Sequence, residues 1–301
     1  MGKIGVMQEY LCGERDYEYE VVCGSVSAEY PSYYKLPDKF TGTQKDQGYI
    51  SACVAETITS IAEAWWNRNL NVKDEHSEGF AYGAFREQNS TYEGLYVSRA
   101  LSMWKEIGTI PKRYFDMLEE MPEIKNLVAR HPEFLDIAKN YRLSAYTKLN
   151  NSGNSTRDQQ VKDALLKYKY GLVSVYDRHC VQLVGWDDDK DVYIYKDSYG
   201  ADEGDNGYKT KKKSSFSEIW LPIFEEVKLP FEDVSEKDWF FDAVRRLYFS
   251  GMIKGKTENT IAPYDYITRA EVFALFDRHI AKEDNDRKIL NNIINEKIQL
   301  D

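Results

Sequence analysis

Apolar residues recur with a helical period between 51 and 67, at Val54, Ile58, Ile61, Ala62 and Trp65, and predict one long buried helix entered through a polar turn at 45–48. The same period predicts helices over 96–107, over 122–140 with kinks at Pro122 and Pro132, and over 156–168. After Gly171 the texture changes. Short runs of β-branched and aromatic residues at 172–176, 179–186 and 192–196, broken by the acidic turn 187–189, predict antiparallel strands. The stretch 219–230 holds two prolines and no clear period, which places a domain boundary near Lys228. Beyond it, 238–249 and 268–281 predict helices joined by a Gly-containing loop, and the charged tail 282–301 predicts a solvated helix. Residues 1–35, rich in Tyr and Glu, predict an irregular arm or short strands. A helix-rich half followed by a strand-rich half makes the expected class α+β, and no internal repeat is visible.

Composition narrows the function classes. With 301 residues, 42% hydrophobic and 30% charged, the chain suits one large domain and a smaller one and is neither disordered nor collagen-like. A net charge of -10 repels phosphates, so a nucleic-acid partner is not expected. No apolar run approaches the roughly 20 residues of a membrane span. The first 20 residues lack the apolar core of a secretion signal, and Val6 stands where a myristoylation motif has Ser or Thr, so the export route is left open. Four cysteines, Cys12, Cys23, Cys53 and Cys180, with no CxxC pair, imply neither a disulfide scaffold nor a zinc site, although a Cys12–Cys23 bridge stays open. No metal or organic cofactor is implied.

The candidate chemistry starts at Cys53. It opens the long helix, where free amides and the helix dipole favour a thiolate. His179 begins a strand far downstream and is a candidate proton store, and Asp197, 18 positions later at the end of the next strand, is a candidate to hold its ring. Each also has a plain alternative: Cys53 and His179 as core packing, Asp197 as a turn cap. His76, His131 and His279 lack such a setting and read as surface or packing residues. The acidic run 187–191 reads as a solvated hairpin turn, because a calcium loop's glycine at position six and its later Glu are absent. The basic run 209–213 reads as an exposed strand end.

In order, Leu36-Pro37, Asp46-Gln47-Gly48, Ala52-Cys53-Val54-Ala55, Gly94, His179 with Val181 and Gly185-Trp186, and Lys196-Asp197-Ser198-Tyr199-Gly200 resemble the papain-like cysteine peptidases over about 190 residues. The resemblance implies a two-subdomain fold over 36–227 that hydrolyses peptide bonds in a peptide or protein substrate. Cys53 would be the nucleophile, His179 base then acid, Asp197 its orienter, and Gln47 an oxyanion donor with the Cys53 amide. Gly94 would let an extended substrate pair with the backbone, and Tyr199 would shield the bond between His179 and Asp197. Gln47 and Gly94 also suit simple turns. The family signature C-G-[SA]-C-[WY] is met at two of five positions by Ile50-Ser51-Ala52-Cys53-Val54. Asp197 replaces the usual Asn, with Arg178 expected to oppose its charge. Only two residues separate Tyr176 from His179, where relatives have a long loop, so one cleft wall is expected to be missing.

A second resemblance covers 228–281. Pro230-Phe231, Trp239, Gly251 to Gly255, and Thr268-Arg269-Ala270-Glu271 resemble the S-layer homology domain of Gram-positive cell surfaces. It implies a cell-wall polysaccharide partner, with Arg269 toward an anionic group and Trp239 against a sugar ring, and a place at the cell surface or outside the cell, reached by secretion, phage or lysis. Thr268 and Glu271 also suit a helix-capping box alone. Three function classes follow: a wall-tethered peptidase, a decayed peptidase fold that binds the surface, and a peptidoglycan peptide hydrolase. A lone module of about 50 residues has little core, which makes a homotrimer one expected assembly, with Phe240, Val244, Leu247 and Tyr248 at its axis. A monomer that packs this face onto the peptidase domain is the other.

Overall fold

The computed structural model describes residues 29–70, 74–86, 93–116, 127–150, 156–225 and 228–300. The Cys12–Cys23 bridge and most of the N-terminal arm lie outside them. The chain divides into two compact units, one of residues 1–65 and 74–225, the other of 66–73 and 226–301.

The predicted long helix is α1 (Cys53–Leu70), whose residues Cys53 to Trp65 belong to the first unit and are all buried. Next comes α2 (Glu78–Phe85), which the pattern did not reveal. All eight of its residues are buried, so it has no polar face and hence no period to read. The Ser77 side chain caps it by accepting from the Phe80 amide. The helices α3 (Val97–Glu106), α4 (Leu127–Arg130) and α5 (Glu133–Ala138) follow, and the break between the last two falls at Pro132, as proline's missing donor requires. Residues 122–126 lie outside the description. The strand β2 (Ala145–Lys148) leads into α6 (Arg157–Tyr168), whose Thr156 and Gln159 form a full capping box.

The strands β3 (Leu172–Tyr176), β4 (His179–Asp187) and β5 (Val192–Lys196) lie where the alternation predicts them. With β1 (Tyr33–Lys35), β6 (Tyr208–Lys212) and β7 (Glu218–Ile223) they make an antiparallel sheet ordered β2-β7-β3-β4-β5-β6, with β1 paired to the far end of β4. Gly185 is required at that crossing, since a Cβ there would sit 2.2 Å from the Tyr34 carbonyl oxygen. The stretch 219–230, without a clear period in sequence, thus begins as strand as far as Ile223. Pro222 fits because β3 pairs with β7 only as far as Trp220, while β2 continues past it. Just beyond β7, Phe224 stacks on Trp65 at 4.6 Å and meets Trp104 and Tyr170 edge-on, joining helices and sheet into one core.

The acidic hairpin turn is neutralised by lysines: Asp187 pairs with Lys190, and Asp188 with Lys162 and Lys213. Among the described residues no three His, Cys, Asp or Glu side chains converge as metal ligands.

The second unit contains α7 (Phe241–Phe249) and α8 (Arg269–Leu300), the latter uniting the predicted last helix and the charged tail in one helix of 32 residues. Thr268 and Glu271 close the capping box, the carboxylate accepting from the Thr268 amide at 2.7 Å and the Glu271 amide reaching the Thr268 hydroxyl at 3.2 Å. A small core joins Phe231, Phe240 and Val244, with Tyr248, Ile253 and Ile261 packed on it. Of the face expected at a subunit axis, Phe240 and Val244 line the module's own core, whereas Leu247 stays exposed. Among the described residues no helix is long and apolar enough to cross a membrane.

Candidate active site

Three segments of the first unit meet at the head of α1. Cys53 is its first residue and fully buried, and its Sγ lies 3.5 Å from the Cys180 backbone N–H. That contact places the sulfur against the start of β4, where His179 follows a two-residue turn. Asp177 (φ 46°) and Arg178 (φ 61°) both take left-handed conformations, as the tightest hairpin turn demands. The short link therefore leaves no loop between Tyr176 and His179. Asp197 directly follows β5, which pairs with β4 through Gln182 and Lys196.

The His179 Nε2 lies 2.7 Å from Asp197 Oδ1. Its Nδ1 is buried with no hydrogen-bond partner, and the Cys53 sulfur is among the groups that raise the basicity of the ring. Tyr199 stacks on the imidazole at 4.9 Å and 11°, and Tyr176 meets its edge at 5.7 Å. Burial alone would lower the basicity of His179, but the hydrogen bond to Asp197 and then the Cys53 sulfur outweigh it and raise the pKa to about 9. Burial pushes the Asp197 pKa up, but the His179 bond and the Lys209 ammonium win, leaving it below the usual carboxylate value.

Gln47 is buried, with its backbone N–H on the Ser198 carbonyl and its Oε1 accepting from the Ser198 hydroxyl at 2.6 Å. Its Nε2 donates to the Ile50 carbonyl at 2.7 Å, and an amide nitrogen carries a second hydrogen. Gly94 has φ 93° and its N–H meets the Tyr82 hydroxyl at 3.3 Å, so a left-handed turn requires glycine there whatever else it does. In the second unit Trp239 is 88% exposed and Arg269 is exposed as well. His76 and His131 are buried packing residues, and His279 is on the surface.

Two participants escaped sequence reasoning. Ser198 clamps the Gln47 amide, and Lys209, read only as part of a basic strand end, places its Nζ 3.1 Å from Asp197 Oδ2. The usable signal was period two: Lys209 and Lys211 share a face of β6 and lie over Tyr199 and Tyr176. The cation that the structure sets against Asp197 is Lys209, a residue to which sequence reasoning assigned no such role.

Comparison with known proteins fits this geometry. The structure is similar to xylellain, a cysteine protease from Xylella fastidiosa, with TM-score 0.54 and 15% identity over 74% of this chain and 96% of that one. It is similar to procathepsin B S9 from Trypanosoma congolense (TM-score 0.51, 14% identity, 74% and 86% covered) and to the proform of the ragweed allergen Amb a 11, a cysteine protease (0.51, 15%, 70% and 69%). Residues 230–273 match the family model of the S-layer homology domain. A search of curated proteins found no match. The fold is that of papain-like cysteine proteases, helices beside an antiparallel sheet, followed by an S-layer homology domain.

Proposed function

We propose that this chain is a cysteine peptidase that cuts peptide bonds in surface or wall-associated protein and is held at the bacterial cell wall by its S-layer homology domain. The observation that carries the reading is His179, bonded through Nε2 to Asp197 at 2.7 Å at the start of the strand whose next backbone N–H lies 3.5 Å from the Cys53 sulfur. In this reading the Cys53 thiolate attacks the scissile carbonyl and the His179 imidazolium gives its proton to the leaving amine. His179 then takes a proton from water, whose oxygen attacks the thioester and frees Cys53. Charge on the carbonyl oxygen is met by the Cys53 backbone N–H and by the second Nε2 hydrogen of Gln47, held in place by Ser198 and Ile50. Asp197 keeps the imidazole in the tautomer that presents Nδ1 to sulfur, and Tyr199 keeps water from that bond.

The two-residue turn before His179 supports a cleft open on one side, and so a broad side-chain preference. The exposure of Trp239 and Arg269 supports their contact with wall polysaccharide at the cell surface. Turnover of casein compared with purified wall tests the substrate class. Rapid alkylation near pH 6 of Cys53 alone supports the nucleophile. Turnover of wall peptide without casein would make the chain a peptidoglycan hydrolase, and turnover of neither would make it a surface-binding protein on a peptidase fold.

A further inference from the structure

Asp197 is an unusual partner for a base that must both take and release a proton, because a buried carboxylate holds an imidazolium tightly. The structure gives that carboxylate a second partner. Its Oδ1 faces His179 and accepts from the Ser198 amide at 2.9 Å, while Oδ2 faces the Lys209 ammonium at 3.1 Å. The Asp197 side chain is 1% exposed and that of Lys209 26%, so the pair sits at the edge of the core where water screens it incompletely. Lys209 also lies 5.6 Å over the Tyr199 ring that covers His179.

We propose that Lys209 is a positioning residue of the site: it holds the far oxygen of Asp197 and offsets the carboxylate's charge, so that His179 can release its proton in each turnover. This rests on the peptidase reading above. The groups facing this pair come from every neighbouring element: Cys53 from α1, Tyr176 from β3, Tyr195 from β5, and Tyr199 from the segment after it. Glu203 shares the Lys209 ammonium at 3.1 Å, and Lys211 is engaged by Asp177 at 2.8 Å. Lys196 turns away to the Gly42 carbonyl at 2.7 Å. Among these only Lys209 places a cation on Asp197.

Two readouts test the role in the full-length protein. One is the pH profile of kcat/KM on a casein-derived peptide. The other is the rate of Cys53 alkylation by iodoacetate, an anion that reacts fast only while His179 carries its proton. Lys209→Met should move the alkaline limb of both profiles upward by about 0.5 to 1 pH unit, and Lys209→Arg should keep the wild-type profile. Asp197→Asn should move the limb down, and Lys209→Met added to it should then shift it by less than about 0.2 unit, since the shared carboxylate is gone. Lys209→Gln replaces the Met variant if that one aggregates. A limb that stays in place, or that moves equally with and without Asp197, overturns the proposal. If the protein hydrolyses nothing while the alkylation profile shifts as described, the peptidase reading falls and only the charge coupling of Lys209 to His179 through Asp197 stands.

Discussion

The two units use burial in opposite ways. The first places charged and polar groups inside an apolar core and pairs them there: His179 with Asp197, and Lys45 with Glu63 and Glu78 at 2.5 Å each. The second, among its described residues, has a core of three buried side chains and leaves several large aromatics in water, with Trp239 88%, Tyr266 99% and Phe273 68% exposed. A reactive group is made by removing water, which strengthens each remaining electrostatic contact. A surface meant for a polymer keeps its faces solvated until the polymer replaces the water. Damage should therefore separate: chemistry lost without unfolding in one unit, unfolding after small core losses in the other.

The largest separation should come from Cys53→Ala, which is expected to lower peptide hydrolysis by at least about 10⁴-fold with little change in melting temperature and none in wall retention. Hydrolysis by this variant at the wild-type rate would end the contrast. Next, Phe231→Ala removes a ring that meets Tyr248 edge-on at 5.1 Å, a loss of about 3 to 5 kcal/mol in a core too small to absorb it. Wall retention should vanish while hydrolysis of a soluble peptide persists, as a pull-down on purified walls and a peptide assay would reveal. Third, Trp239→Ala should weaken wall binding about tenfold and leave stability within about 0.5 kcal/mol. A lowered melting temperature would mean that Trp239 serves packing instead.

A smaller effect, by pH, sets two histidines of the first unit against each other. His179, raised to about 9 against the pull of burial, contributes stability that is complete below about 6.5 and lost as pH rises through 9. His76 has the opposite sign. Burial first, then the Lys45 charge, depress it to about 3, so its contribution is complete above about 6.5 and lost as pH falls toward 3. Thermal unfolding of the first unit should weaken at both extremes, and His76→Asn, which cannot be protonated, should flatten the acid side. An unchanged acid limb would mean that His76 is already charged in the fold.

Much of this was written locally. A one-sided apolar stripe determines α1, alternation determines β3 to β5, Pro132 ends a helix, and Thr268 with Glu271 starts one, because each depends on neighbours within a turn or two. Cys53, His179 and Asp197 were legible as candidates through their positions at element ends and their resemblance to one family. Their meeting was not, nor was the place of Lys209, which follows from the registers of β4 on β5 and β5 on β6. Only tertiary structure decided α2, buried on every side and so without a polar face, and β7, whose partners are β2, about 75 residues earlier, and β3. The face of Phe240 and Val244 makes the same point. The sequence determines that it is apolar, but which apolar surface covers it is a choice among non-local partners, and here the module's own Phe231 takes that place.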